Sequence, residues 1–86
     1  MKSIDVIKHP LATEKSIRLM ESENKLVFVV DKSATKPQIA KAIEEVFKAK
    51  VRSVNIHTTI KAQKRAYVCF AKETPAIDIA TDLGVL

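Results

Sequence analysis

Leu26-Val27-Phe28-Val29-Val30 is the stretch on which the fold turns. Five consecutive apolar residues rich in β-branched side chains suit a strand buried on both faces better than one with a wet side. Such a strand needs layers above and below it, so the flanking chain has to supply helices and further strands.

Downstream, Thr35-Lys36-Pro37-Gln38 has Thr and Gln spaced for a capping box, in which each side chain reaches the other's backbone amide. Ile39, Ile43, Val46 and Phe47 then form an apolar helical stripe, with Gln38, Lys41, Glu45 and Lys48 on the far side. Residues 51–60 alternate as a strand should: Val54, Ile56, Thr58 and Ile60 on one face, Asn55, His57 and Thr59 on the other. After Lys61-Ala62-Gln63-Lys64, residues 65–72 return as a β-rich run, which predicts a hairpin with a basic tip. The tip has no Gly, so its turn type stays open. Thr74-Pro75 reads as an N-cap followed by proline in the first helical position, and Gly84 suits a left-handed C-cap, giving a short helix over about 76–83.

Upstream, Ser3-Ile4-Asp5-Val6-Ile7 alternates like a short half-buried strand, and Lys8-His9-Pro10 is expected to turn the chain. Thr13 is placed to N-cap a helix over about 14–21, ending near Asn24, with Ile17 and Met20 at helical spacing. The order is β-α-β-α-β-β-α. The expected class is α+β, a layered α/β/α sandwich around a four-stranded, largely antiparallel sheet, as one domain over residues 1–86, with strand order undetermined.

The 86 residues are 47% hydrophobic, which supports a core and excludes both disorder and a multidomain enzyme. The formal charge of +5 is uneven. Residues 73–86 hold Glu73, Asp78 and Asp82 and no base, so residues 1–72 carry fifteen bases against seven acids, a net of +8. That balance points to a polyanionic partner. The lone Cys69, with no secretory signal and no apolar run long enough for a membrane, predicts a reducing, cytoplasmic setting without membrane insertion. The single glycine leaves no place for a glycine-rich phosphate loop.

His9, His57 and Cys69 are separated singletons without metal-ligand spacing, so no metal or cofactor is expected. Their plain readings are a turn or RNA-facing His9, a strand-surface His57 and a core-filling Cys69. Glu21 with Glu23, and Glu44 with Glu45, read as solvated helix surface, Glu44 being placed to meet Lys48, and Asp5 and Asp31 read likewise. No acid, base, nucleophile and oxyanion donor can be assembled, so neither an enzyme nor a small-molecule substrate is expected.

The cations carry the sharper signal. Lys61, Lys64 and Arg65 crowd the hairpin, Lys8 and Lys15 flank the proline, and Lys32 and Lys36 lead into the second helix. Lys36 opposes the helix dipole, a disadvantage that a bound phosphate would reverse. Asn55, His57 and Thr59 add neutral groups able to meet ribose, phosphate and base edges. Phe28, Phe47 and Phe70 read as core, leaving Tyr67 as a base-stacking platform. An RNA-recognition-motif-like module reading single strands is the alternative, since Ala66-Tyr67-Val68-Cys69-Phe70 echoes the end of that module's aromatic strand.

Lys8-His9-Pro10-Leu11-Ala12-Thr13-Glu14-Lys15 resembles the proline and Thr/Ser-Glu-Lys opening of the L-twenty-three family of large-ribosomal-subunit proteins. Ala34-Thr35-Lys36-Pro37-Gln38-Ile39, Val46-Phe47, Val51 and Val54-Asn55 are similar to its second helix and the following strand. Lys64-Arg65-Ala66-Tyr67-Val68 is similar to the basic-pair, Ala-aromatic-Val signature of its last strand. Where the family often continues with a basic residue and Leu, this chain has Cys69 and Phe70, so no RNA contact is carried to Cys69. The short hairpin tip resembles the archaeal type and cannot span the distance of the long tunnel loop of bacterial members. The resemblance implies a structural protein that binds large-subunit rRNA at the rim of the polypeptide exit tunnel, beside the L-twenty-nine family protein and where the signal recognition particle docks. Taken with the charge clustering and the polar strand face above, it points to rRNA contacts from Lys8, His9, Thr13, Lys15, Lys36, Asn55, Thr59, Lys61, Lys64, Arg65 and Tyr67. The Glu of Thr-Glu-Lys is the family's docking position, which maps onto Glu14, with Arg18 and Glu21 nearby.

Overall fold

A computed structural model describes residues 6–84. Its elements run β1 (Ile7–Pro10), α1 (Glu14–Glu23), β2 (Lys25–Val30), α2 (Lys36–Phe47), β3 (Val51–Thr58), β4 (Lys64–Phe70) and α3 (Ala76–Leu83). The strands form one antiparallel sheet in the order β1-β2-β4-β3, so both the α+β class and the order of elements are as expected.

The expected caps form at α1 and α2. Thr13 Oγ1 accepts from the Ser16 amide at 3.2 Å while Ser16 Oγ accepts from the Thr13 amide at 2.8 Å. At α2 the same exchange joins Thr35 and Gln38. Helix α1 runs to Glu23 and ends on Asn24 in the left-handed region, φ 57°. In the last turn of α2, Phe47 stacks on Phe28 with ring centroids 5.9 Å apart. Val46, expected in the buried stripe, is left 52% exposed as Phe47 takes the inward place.

Three local expectations are corrected. Lys8, His9 and Pro10 belong to β1 rather than to a turn, because the Asp31 amide donates to Val6 O and the Leu11 amide to Val27 O, holding the segment along β2. Proline is tolerated there because β1 is an edge strand, with one side free of ladder bonds. The earlier part of the expected strand, Ser3 to Asp5, lies outside the described residues. Strand β3 stops at Thr58, and Ile60 is fully exposed in the turn rather than on the apolar face. Pro75, not Thr74, is the N-cap of α3. Thr74 Oγ1 instead accepts from the Lys50 amide, and the α3 amide of Ala76 is met from outside the helix by Asn24 Oδ1 at 2.6 Å.

Opposed residues of an antiparallel pair share a face, so the register sorts the sheet. Leu26 and Phe28 lie opposite Val68 and Ala66, which lie opposite Val54 and Ile56. This face joins Met20 of α1, Ile39, Ala42 and Ile43 of α2, and Ala76, Ile79 and Ala80 of α3 in one hydrophobic cluster. Val27 and Val29 are buried too, as a two-sided strand requires, although they point to the other face. Leu11, Ser16 and Leu19 stand around Val27 there.

Candidate nucleic-acid interface

The register assigns the second face its residues in rows. His9 lies opposite Val29, Val29 opposite Arg65, and Arg65 opposite His57, a line that crosses all four strands. The next row is Val27, Tyr67 and Asn55, and the last is Lys25, Cys69 and Ser53. Polar and cationic groups thus collect on the side of the sheet away from the helix-packed cluster. His9, Asn55 and His57 are exposed, while Arg65 and Tyr67 are half-buried.

Two grooves meet on this face, and Arg65 lines both. One is framed by Leu11, Thr13, Lys15, Leu19 and Tyr67, the other by His57, Thr59, Ile60, Lys61 and Gln63. Arg65 Nε donates to Gln63 Oε1 at 2.8 Å, which fixes the guanidinium plane and leaves its outer N–H groups for another acceptor. The hairpin turn holds its own shape: the Thr59 amide donates to Gln63 O, the Ala62 amide to Thr59 O, and the Gln63 amide to Thr59 Oγ1. Ala62 takes φ 62°, the left-handed place where glycine is the easy occupant. His9 Nδ1 lies 3.1 Å from Pro10 O, so one ring nitrogen is engaged locally and the other points elsewhere.

The remaining cations gather separately. Lys64 lies opposite Thr58, on the alternate parity from Arg65, and its ammonium donates to Ala34 O at 2.6 Å and Lys32 O at 3.2 Å. Lys8 and Lys64 both act electrostatically on Asp31, whose carboxyl is held below the ordinary carboxylate range. The chief cause is the Ser33 hydroxyl it accepts from, followed by the Ser33 amide. Lys32 and Lys36 are exposed beside this loop. Of the residues expected to contact RNA, His9, Thr13, Lys15, Asn55, Thr59, Lys61, Arg65 and Tyr67 therefore share the second face and its rims. Lys8, Lys36 and Lys64 surround the 31–34 loop instead.

Glu14, Arg18 and Glu21 form one exposed stripe of α1, with Arg18 Nη2 paired to Glu14 Oε1 at 2.8 Å. Gln63 lies in the hairpin turn just before β4, so no strand period in the sequence brings it to Arg65; the shape of the turn does. Phe70 is only 2% exposed and packs in the core, and Cys69 is a buried free thiol.

The chain matches the family described as Ribosomal protein L23 over residues 5–78. It is 45% identical over 85 residues to the large ribosomal subunit protein uL23 of Methanococcus vannielii, covering 99% of each chain. The uL23 proteins of Methanococcus aeolicus and Methanococcus maripaludis strain C6 are 42% and 44% identical over the same extent. A family match over most of the chain and relatives of this identity over its whole length place it plainly: the chain belongs to the ribosomal protein L23 family.

Proposed function

We propose that this protein is a structural, rRNA-binding constituent of the large ribosomal subunit, acting in the cytoplasm at the rim of the polypeptide exit tunnel. The observation that carries the RNA-binding part is the place of Arg65: central in the row from His9 to His57, lining both grooves, and oriented by Gln63. A guanidinium so held meets phosphate oxygens with little further loss of freedom. Lys61 and Lys15 extend the positive surface along the two grooves, and Thr13, Asn55 and Thr59 offer hydrogen bonds that fix register. Tyr67 supplies a ring against which a base can stack. The exposed α1 stripe of Glu14, Arg18 and Glu21 is the docking position for nascent-chain factors such as the signal recognition particle, and a protein of the L29 family is the neighbour.

Binding to protein-free large-subunit rRNA tests this directly. If about five cations engage phosphate, the log-log salt slope is roughly −3 to −5. A salt-independent affinity, or an Arg65→Glu, Lys61→Glu double variant that binds as the parent does, would refute the reading. Absence from large-subunit fractions of a low-salt lysate would count equally against it. For the docking stripe, ribosomes carrying Glu14→Lys should lose affinity for the signal recognition particle, and unchanged affinity would remove that part alone. The RNA-recognition-motif-like reading needs Tyr67 and Phe70 both open to bases, and the burial of Phe70 in the core leaves it one platform short.

A further inference from the structure

Lys64 differs from the other cations of the basic hairpin in what its charge does. Strand parity turns it away from Arg65 and from the grooved face. Its side chain is half-buried, and two of its three ammonium donors go to the carbonyls of Lys32 and Ala34, across thirty residues or more of sequence. Those carbonyls belong to the connection between β2 and α2, and Ala34 is fully buried just before the Thr35 N-cap. Asp31 holds the same connection from its other end, accepting from the amide and hydroxyl of Ser33 while the Ala34 amide donates to Asp31 O. The loop so fixed displays Lys32 and, four residues later at the first position of α2, Lys36, both exposed.

Building on the rRNA-binding reading above, we infer that Lys64 is a positioning residue: it fixes the 31–34 loop, and through that loop it places Lys32 and Lys36 to meet RNA phosphates. With two donors committed to those carbonyls, Lys64 keeps one for a phosphate, so positioning and direct contact are told apart by the size of its effect on binding. The inference makes Lys64 and Asp31, of opposite charge, act in the same direction on RNA affinity.

The test is a salt titration of binding to protein-free large-subunit rRNA. Each phosphate contact contributes roughly 0.7–0.9 to the slope, so Lys32→Met with Lys36→Met should lower it by roughly 1.4–1.8. Lys64→Met should lower the slope by more than one contact's worth, and adding it to that double variant should change nothing further. Amide exchange at Ser33, Ala34 and Thr35 should quicken in Lys64→Met while β2 and β4 stay protected. Asp31→Ala, which leaves Lys64 in place, supplies the decisive sign. Simple charge arithmetic expects it to bind RNA more tightly, whereas a loosened loop binds severalfold more weakly. A gain in affinity for Asp31→Ala, or a Lys64→Met loss that equals one contact and adds fully to the double variant, would overturn the inference while leaving the RNA reading intact. A flat slope in the parent would remove both.

Discussion

The two ends of the sheet are finished in opposite ways. At the start of β2, Asn24 closes the structure on itself. Its amide nitrogen donates to the carbonyls of Phe70, Ala71 and Thr74, and its Oδ1 accepts from Ala76. Its own carbonyl takes the Phe70 amide while its backbone makes the left-handed turn out of α1. One side chain thereby joins α1, β4 and α3. At the other end, Arg65, Lys61, Lys32 and Lys36 surround loops that hold their own backbones but leave cationic groups facing outward. At the first end the backbone groups of the corner are satisfied from within the chain, with Arg52 and Lys72 exposed at its rim. The second has donors in excess of its internal acceptors, which is the condition of a surface that takes an anionic partner.

Breaking the closed end should have the largest effect. Asn24→Ala removes the cap of α3, leaves carbonyls of the corner without their donor and puts a Cβ-only residue in the left-handed region, for a loss of ~3 kcal/mol. Chemical denaturation measures it, and a loss under 1 kcal/mol would deny Asn24 its joining role. Next comes Arg65→Glu, which should lower rRNA affinity roughly ten- to a hundredfold at low salt with little change in stability. If Arg65→Glu unfolds the domain instead, the open end is not a dedicated surface. Ala62→Gly should stabilise the hairpin by about 0.5–1 kcal/mol, since relief of the left-handed strain exceeds the added freedom of the unfolded chain. Its salt slope should match the parent's.

The smallest effect belongs to Asp31. Its folded carboxyl is held below the ordinary carboxylate range by the Ser33 hydroxyl and amide, so its contribution to stability is fully present above that range and is lost as pH falls through the folded pKa. Asp31→Asn should therefore be slightly less stable than the parent at pH 7 and indistinguishable from it in strong acid. A difference that persists or grows on acidification would contradict the hydrogen-bonded carboxylate.

Much of this molecule could be read locally. The Thr13 and Thr35 caps, the β2 run, the β3–β4 hairpin and Gly84 depend on residues a few positions apart, and each forms. The failures are where distant chain intervenes. Thr74 looked like the cap of α3, but Asn24, about fifty residues earlier, supplies that hydrogen bond and frees Thr74 for Lys50. Lys8-His9-Pro10 looked like a turn because proline biases its neighbours, but pairing with β2 outweighs the bias at a sheet edge. Lys64 and Arg65 looked like one basic pair, yet adjacent strand residues face opposite ways and only Arg65 reaches the grooves.

Sequence by itself therefore determined the kinds of element, their order, the excess of positive charge and the family, because capping, periodicity and composition are properties of neighbouring residues. Tertiary structure decided which strands are neighbours and hence which cations share a face. That follows from register, a relation between segments far apart in the chain, and a shift of one residue would exchange the buried set for the exposed one.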